Sequence, residues 1–405
     1  MRAARWAEYE RKSTALEVGR GLAILSVIYG HALAPWFMGA GEQFSQAGFL
    51  QWKFGASFMM TFFFFLSGIG WREDKSFAST MRQAGTLVLV ALLASVCFDV
   101  VRLSATIAGV AAPLGLAPIG FLDFAKDAAR MALLGDAYSL SSLWFLTALA
   151  VVRVFAALIS RFGAVAVIGS AALMLALTLT STSLGWRNFY QINLIGVAFI
   201  AFLAGHAARG LLRGLERSMT GAYALTLSMG ILTALTFDMN QGCRWDVFAR
   251  CGQDWLGGGF GVSMVIGQFG NLPMFAITAV TGTLFVLGLS VLLARFGGTV
   301  GDKLDTWGRN SLNLLIVNAL FLHVGNELVT RWILPHVKAD NPLFFIALLT
   351  FTMAANLLLV HALARPLRRL QSFARRIAAE IVNIGERVLS AGVALRAHRV
   401  SQAND

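Results

Sequence analysis

The chain has 405 residues, of which 57% are hydrophobic and only 13% are charged, and its mean hydropathy is +0.68. A soluble fold of this length cannot bury so much apolar surface, so the composition excludes an ordinary water-soluble protein and indicates a polytopic membrane protein. The net charge of +12 does not indicate nucleic-acid binding, because the basic residues stand in short clusters between apolar runs, as in cytoplasmic loops.

The first apolar segment, residues 14–35, carries an arginine and a histidine within a predicted spanning helix. Arg20 and His31 are eleven positions apart, which places them within about 20° on one helix face and about 16 Å apart along the axis. An ionisable group inside a span is costly and usually faces a protein interior, so we expect this face to be functional. The alternative is a cleaved signal peptide, whose removal would take His31 with it.

Alternation of apolar segments with basic clusters predicts an all-α bundle of ten spanning helices with both termini in the cytoplasm. The predicted spans are residues 14–35, 51–71, 83–103, 141–159, 163–183, 190–208, 220–237, 272–294, 311–329 and 342–364. When Arg20 is counted as lying within a span and basic residues near span ends are counted with the adjacent loops, more than twice as many of the other lysines and arginines fall inside as outside. We expect the protein in a bacterial inner, or cytoplasmic, membrane.

Two predicted outer loops differ in character. Residues 104–140 have nearly balanced charges and contain a predicted short interfacial helix, whereas residues 238–270 are rich in Gly and Trp. The second loop holds Cys243 and Cys251, and a disulfide between them is predicted because the compartment outside is oxidising. Cys97 falls in a predicted span, where we expect an inert core residue.

The map divides the chain into two parts. Residues 1–364 form the predicted transmembrane domain, and residues 365–405 form a predicted basic amphipathic helix on the inner leaflet. Arginines alternate there with Leu, Ile and Val, a pattern typical of helices that bind membrane lipid.

Four motifs occur in the order and spacing of a known family. They are Arg20-x10-His31, Phe62-Phe63-Phe64-Phe65-Leu66-Ser67-Gly68, Leu143-Trp144-Phe145-Leu146, and Arg309-Asn310-Ser311-Leu312 running on to His323. Over residues 16–363 the chain resembles the acyltransferase 3 family. These membrane-embedded enzymes move acyl groups, commonly acetyl from acetyl-CoA, onto sugars or other acceptors outside the cytoplasm. The resemblance implies acetyl-CoA as donor and a glycan or a lipid-linked sugar as acceptor.

The resemblance also assigns roles on the first helix. It implies that His31 is the general base, which suits an imidazole because its neutral form accepts a proton near physiological pH. It implies that Arg20 binds a CoA phosphate or orients the thioester, which suits the planar fork of a guanidinium. The alternative for Arg20 is a side chain that reaches to the inner interface without a partner.

A second pair of cations, Arg72 and Lys75, follows the second span. The family often has two arginines three apart at this place, so both residues are candidates for cofactor binding. Lysine keeps the charge but not the bidentate geometry, which puts the role of Lys75 in doubt. Ordinary cytoplasmic basic residues are the alternative reading for both.

Substrate-binding candidates are Trp144, Asn313 and His323. Trp144 is expected to shape the cavity, and the two polar residues lie in the ninth predicted span, where polar side chains mark an interior-facing surface. No zinc pattern, P-loop or dinucleotide fingerprint appears, so no metal and no nucleoside triphosphate is predicted.

Two other functions remain open at this point. A secondary transporter could use the Arg20 and His31 pair to bind an anion or relay protons, although transporters commonly interrupt spans with Gly and Pro and the prolines here fall at span edges. An assembly factor of a polysaccharide export complex is the third candidate, but it would not need the two residues on one face.

Overall fold

The structure is a computed structural model that describes residues 14–33, 46–72, 76–112, 116–135, 140–186, 188–240, 262–328 and 342–404. In chain order the described helices are α1 (Thr14–Leu33), α2 (Gln46–Ala56), α3 (Met59–Ile69), α4 (Phe77–Ile107), α5 (Phe121–Leu134), α6 (Trp144–Ile159), α7 (Gly163–Ser183), α8 (Ile192–Ala207), α9 (Arg209–Arg217), α10 (Met219–Thr236), α11 (Leu272–Phe296), α12 (Gly298–Arg309), α13 (Ser311–Leu328), α14 (Pro342–Ala362) and α15 (Ala364–Asn404). No β-strand occurs in these ranges, so the all-α prediction is confirmed for the described part of the chain.

Small polar residues fix where several helices begin. The side chains of Ser76, Ser218 and Asn271 accept hydrogen bonds from backbone N–H groups in the first turns of α4, α10 and α11. Each cap satisfies a donor that the helix itself leaves unpaired. Helix α5, the predicted outer helix, ends at Gly135 in the left-handed conformation, with φ of 67°.

Helix α1 lies at the centre of the bundle. It packs against α2, α3, α11, α12, α13 and α14, and Val18, Ala23 and Ile28 on it are completely buried. The segment that carries the Arg20 and His31 motif is therefore surrounded by protein along its length.

Glycines allow α1 and α12 to approach very closely. A Cβ atom on Gly21 would overlap the carbonyl of Leu304, and one on Gly308 would overlap the carbonyl of Glu17. Close backbone approach through small residues is the usual means of helix association in membranes, where apolar burial alone gives no advantage over lipid.

Close backbone approach at glycines also joins α3 to α8. A Cβ atom on Gly68 would overlap the carbonyl of Phe202, and one on Gly205 would overlap the carbonyl of Phe65. The glycine that closes the Phe-rich motif is thus needed for a helix–helix contact.

Seven helical runs are long and apolar enough to cross a membrane, or eight if α14 and the start of α15, bent by 66°, count as one span. One of the seven, residues 144–183, is 40 residues long. The apolar part of α13, Ser311–Leu322, is shorter than a usual span. A polytopic helical membrane protein is therefore supported, whereas the number ten and the cytoplasmic position of both termini stay predictions.

The 40-residue run folds back on itself as a hairpin. Thr147 and Gln191 both donate to the carbonyl of Gly135, at 3.2 and 3.3 Å, and Thr178 donates to the carbonyl of Ile192 at 2.8 Å. Thr147 and Thr178 therefore lie at the same level, although a straight helix would separate them by about 46 Å. The chain reverses at the 3₁₀ turn Ser160–Phe162, between the predicted spans 141–159 and 163–183, so α6 and α7 are two passes.

Helix α7 lies on the outside of this hairpin. Only Thr178 and Ser181 on it are buried, Ala171, Met174 and Leu175 are partly buried against the core, and most of the other side chains are exposed. Among the candidate spans of the described chain, the run that contains α7 has the smallest buried share.

The second predicted span is interrupted at Ser57 and Phe58, between α2 and α3. Ser57 Oγ donates to the carbonyl of Lys53 at 2.6 Å and so satisfies a backbone acceptor near the break. The sequence did not predict this interruption, because no proline lies there.

The C-terminal segment is helical, as predicted, and it also has a protein partner. Helix α15 packs against α4, with Ala374 and Ala378 buried and Arg82 donating to Asn383 at 3.0 Å. Pro366 lies in the first turn of α15, where its missing N–H explains the bend after α14.

Candidate functional site

His31 lies in the last turn of α1 and is hydrogen-bonded to an amide from a distant part of the chain. Its Nδ1 is 2.6 Å from Oδ1 of Asn318 on α13. Asn318 is only 1% exposed, and its Nδ2 is buried without a partner among the described residues. With the amide oxygen as acceptor, Nδ1 carries the proton and Nε2 is the basic nitrogen.

The imidazole borders a cavity of about 900 Å³. The cavity is lined mainly by apolar and aromatic side chains, and the polar residues on its wall include Ser26, Tyr29, His31, Gln51 and Ser142. His31 is only half-buried, and Nε2 is not among the buried atoms without a partner. The basic nitrogen is therefore accessible from the cavity.

Tyr29 and Gln51 form a polar bridge on this wall. The Tyr29 hydroxyl donates to Oε1 of Gln51, and Gln51 Nε2 donates to the carbonyl of Ala47 at 3.1 Å. The sequence analysis missed both residues. Their one available signal was that Tyr29 precedes His31 by two positions, which does not place it on the same helix face.

Trp144 lines the same cavity as His31, so the structure brings these two predicted residues together. It is the first residue of α6 and packs against Phe64, with ring centroids 6.5 Å apart. Phe64 also packs against Phe145 at 4.9 Å. Two of the four sequence motifs therefore meet beside the cavity.

Arg20 lies further along α1, away from the cavity. Its Nη1 is 2.6 Å from Oε1 of Glu17, and its Nη2 lies 3.2 Å from the place of a Cβ on Gly70. Because α1 is one continuous helix, the separation of about 16 Å from His31 is preserved. The cavity wall begins on α1 at Ser26, so Arg20 and His31 do not face one described cavity.

Some basic residues that the sequence count grouped with loops lie within helices, as the bounds of the predicted spans in fact imply. Arg153 is on α6, six residues before its end, and Lys53 is on α2 with 6% of its side chain exposed. The count of basic residues had grouped Arg153 with the inner loops and Lys53 with the outer loops, and this grouping was wrong, whereas the predicted span bounds do contain both residues. Lys53 Nζ pairs with Oδ1 of Asp238 at 2.7 Å, whereas Arg153 interacts with the like charge of Arg20.

Asn313 is placed outside the cavity. Its Oδ1 accepts a hydrogen bond of 2.7 Å from Nε2 of Gln371 on α15. The backbone of His323 belongs to α13, but its side chain lies outside what the structure describes. The substrate-binding role predicted for these two residues stays a prediction, and the position of Asn313 indicates a contact between α13 and α15.

The structure describes only some of the remaining predicted residues. Arg72 is half-buried just after α3, while Lys75 lies outside the described residues, as do Cys243 and Cys251 with their predicted disulfide. Cys97 is a free cysteine on the exposed side of α4, so the prediction that it lies in the core was wrong.

Comparison with known proteins gives one match. The acyltransferase 3 family model, described as an acyltransferase domain, matches residues 13–361. Searches among curated proteins and among solved structures found no match.

Proposed function

The chain belongs to the acyltransferase 3 family and is a membrane acyltransferase, and we propose that it transfers an acetyl group from cytoplasmic acetyl-CoA to a hydroxyl of an extracytoplasmic sugar. The acceptor is a glycan or a lipid-linked sugar, and the protein resides in a bacterial cytoplasmic membrane. Most of the chain takes part in the family match, including α1 and the helices that surround it.

The observation that carries this proposal is the contact between His31 and Asn318 at the edge of the cavity. A buried amide oxygen holds Nδ1–H, so the imidazole presents Nε2 as an acceptor in a fixed direction. This is the arrangement that general-base catalysis on a hydroxyl requires.

His31 Nε2 would take the proton from the acceptor hydroxyl as its oxygen attacks the thioester carbonyl. The new C–O bond forms, the C–S bond breaks, and the proton passes to the leaving sulfur to give free CoA. The residues are compatible with direct transfer and with a transient acyl-enzyme.

The cavity wall supports a sugar as acceptor. Trp144 offers an aromatic face, and Tyr29 and Gln51 offer polar groups that are already oriented by each other. A pocket with a few placed polar groups among aromatic side chains is typical of small-molecule sites. His323 and Asn313 are proposed to assist in binding the acceptor.

Basic residues are proposed to bind the acyl donor. Arg20 would bind a phosphate of CoA or orient the thioester, and Arg72 and Lys75 would add positive charge near the end of α3. A secondary transporter is the less favoured function, because the family match indicates acyl transfer.

Replacing His31 tests the role of the base. In His31→Ala, acyl transfer should fall by about 10²–10⁴-fold, the usual cost of removing a general base. Binding of CoA should persist, because the imidazole acts on the acceptor proton. Both quantities are measured on purified protein in nanodiscs with acetyl-CoA and candidate glycans.

His361→Ala is the matched control, since His361 is exposed at the end of α14. The His361→Ala variant should keep both acyl transfer and CoA binding. Full acyl transfer by a folded His31→Ala protein would rule out the mechanism, and loss of CoA binding in that variant would remove the division of roles between His31 and Arg20.

A further inference from the structure

A second intramembrane arginine lies close to Arg20. Arg153 occupies a helix face whose other residues are buried: Leu149, Ala150, Ala156 and Ala157 are all less than 9% exposed. The guanidinium is therefore directed into the bundle rather than toward lipid. It makes no ion pair or hydrogen bond with any residue that the structure describes.

Helix register independently places Arg153 at the level of Arg20. Trp144 on α6 and His31 on α1 border the same cavity. Arg153 lies nine residues beyond Trp144 and Arg20 eleven residues before His31, which correspond to about 14 and 16 Å along the two axes. The charges of the two arginines act on each other, in agreement with this register.

Charge balance at this level favours an anion. Glu17 is the partner of Arg20, and Arg309 at the end of α12 is paired with Asp305 at 2.8 Å. Arg153 has neither kind of partner in the described part of the chain, and a half-buried guanidinium within a span is costly without a counter-charge. Two guanidinium groups at one level of the bundle are well suited to the oxygens of a phosphate or diphosphate.

We propose that Arg153, together with Arg20, binds the diphosphate of the CoA donor, an inference that rests on the proposed function. The arm between the diphosphate and the sulfur of CoA is about as long as four extended residues, roughly 14 Å. This length matches the distance from the arginine pair to the cavity. A diphosphate held at Arg153 would thus bring the thioester to His31.

Binding measurements on the full chain test this assignment. The protein is placed in nanodiscs of zwitterionic lipid, and affinities are measured for CoA, for dephospho-CoA, which keeps the diphosphate, and for pantetheine, which has no phosphate. Arg153→Gln should weaken binding of both CoA and dephospho-CoA by about ten- to a hundredfold, the loss expected for a charged hydrogen bond. Binding of pantetheine should not change.

Arg161→Gln is the matched control. Arg161 lies in the turn of the same hairpin, is exposed, and stacks on Phe77 at 5.6 Å. It should leave all three affinities unchanged. Should Arg153→Gln not fold, Arg153→Lys takes its place, with a smaller loss for CoA because lysine keeps the charge but not the fork.

Several outcomes would overturn the inference. Unchanged CoA affinity in folded Arg153→Gln, or in Arg153→Lys where that variant carries the test, overturns it and leaves the proposed function intact if the wild type transfers acetyl. A loss for CoA but not for dephospho-CoA overturns the diphosphate assignment. Absence of CoA binding by the wild type would overturn the proposed donor as well.

Discussion

Asn318 illustrates how much the proposed chemistry depends on a residue that need not touch substrate. It holds His31 through one hydrogen bond and is itself completely enclosed. Replacement by leucine keeps the approximate volume but removes the acceptor for Nδ1–H, so the imidazole loses its fixed tautomer and orientation.

We expect Asn318→Leu to lower kcat by about 10- to 100-fold, in line with the loss of a supporting hydrogen bond at a catalytic group, while KM for the acceptor changes little. Steady-state kinetics of the purified protein check this. Asn356→Leu on α14, at an equally buried asparagine that is bonded to the carbonyl of Thr352 and does not line the cavity, is the control and should keep kcat. Equal effects of the two substitutions would show that Asn318 has only a structural role.

Asn313 and Asn318 on α13 show what cannot be predicted from the sequence. Asn313 and Asn318 are five positions apart, so their side chains point about 140° apart around α13. Counting polar residues in a span treats them alike, and only the packing of α13 shows which one reaches His31. The partner of His31 lies 287 positions away, a pairing that no local pattern can predict.

Arg20 and His31 were predictable because the signal is periodic and lies within one helix. Arg153 and Lys53 were not, since a basic residue within two turns of a predicted span end looks like a loop residue. Arg153 became visible only when the helix bounds and the burial of its face were known.

At the scale of elements, the glycine contacts between helices are the features most sensitive to mutation. Gly68→Ala places a methyl group against the backbone of α8, which cannot move aside as a flexible side chain can. We expect a loss of stability of about 1–3 kcal/mol, as for other overpacked sites. The midpoint of thermal unfolding in detergent measures it.

Gly169→Ala provides the comparison, because no atom lies within 4 Å of the added methyl group on α7. It should be neutral or should stabilise by about 0.5–1 kcal/mol, the usual gain of alanine over glycine in a helix. Similar unfolding midpoints for the two variants would contradict the close contact of α3 and α8.

The elements themselves were largely predictable from apolar length and breakers. The reversal between α6 and α7 follows from Arg161 and Gly163, and Gly163 indeed has a positive φ of 84°. The interruption between α2 and α3 has only a weak signal, Gly55 and Ser57, which the prediction of one continuous span did not use.

For the whole molecule, the distribution of basic residues predicts which ends of the bundle face the cytoplasm. Single cysteines in a background without Cys97, Cys243 and Cys251 test this. A cysteine at Arg213 should react only with reagents that reach the cytoplasm, and one at Lys126 only with reagents outside, because α9 carries an inner basic cluster and α5 lies in the predicted outer loop.

Both positions belong to short helices that are not candidate spans. Labelling of both from the same side would contradict the predicted orientation. Labelling of Lys126 from outside and of Arg213 from the cytoplasm requires an odd number of membrane crossings between these two positions.

The tilt of helix α7 is expected to depend on the thickness of the bilayer. Its 21 residues extend about 31 Å, close to the roughly 30 Å of hydrocarbon in a typical bilayer. Shorter or longer lipid chains create a hydrophobic mismatch, which such a helix relieves by tilting. Thr178 is bonded to the first turns of α8, and neighbouring Gln191 shares the carbonyl of Gly135 with Thr147. A change in lipid chain length that tilts α7 is therefore expected to shift the cavity wall. The displacement would pass through the hydrogen bonds of Thr178, Gln191 and Thr147, and Thr147 also donates to the carbonyl of Trp144 on that wall.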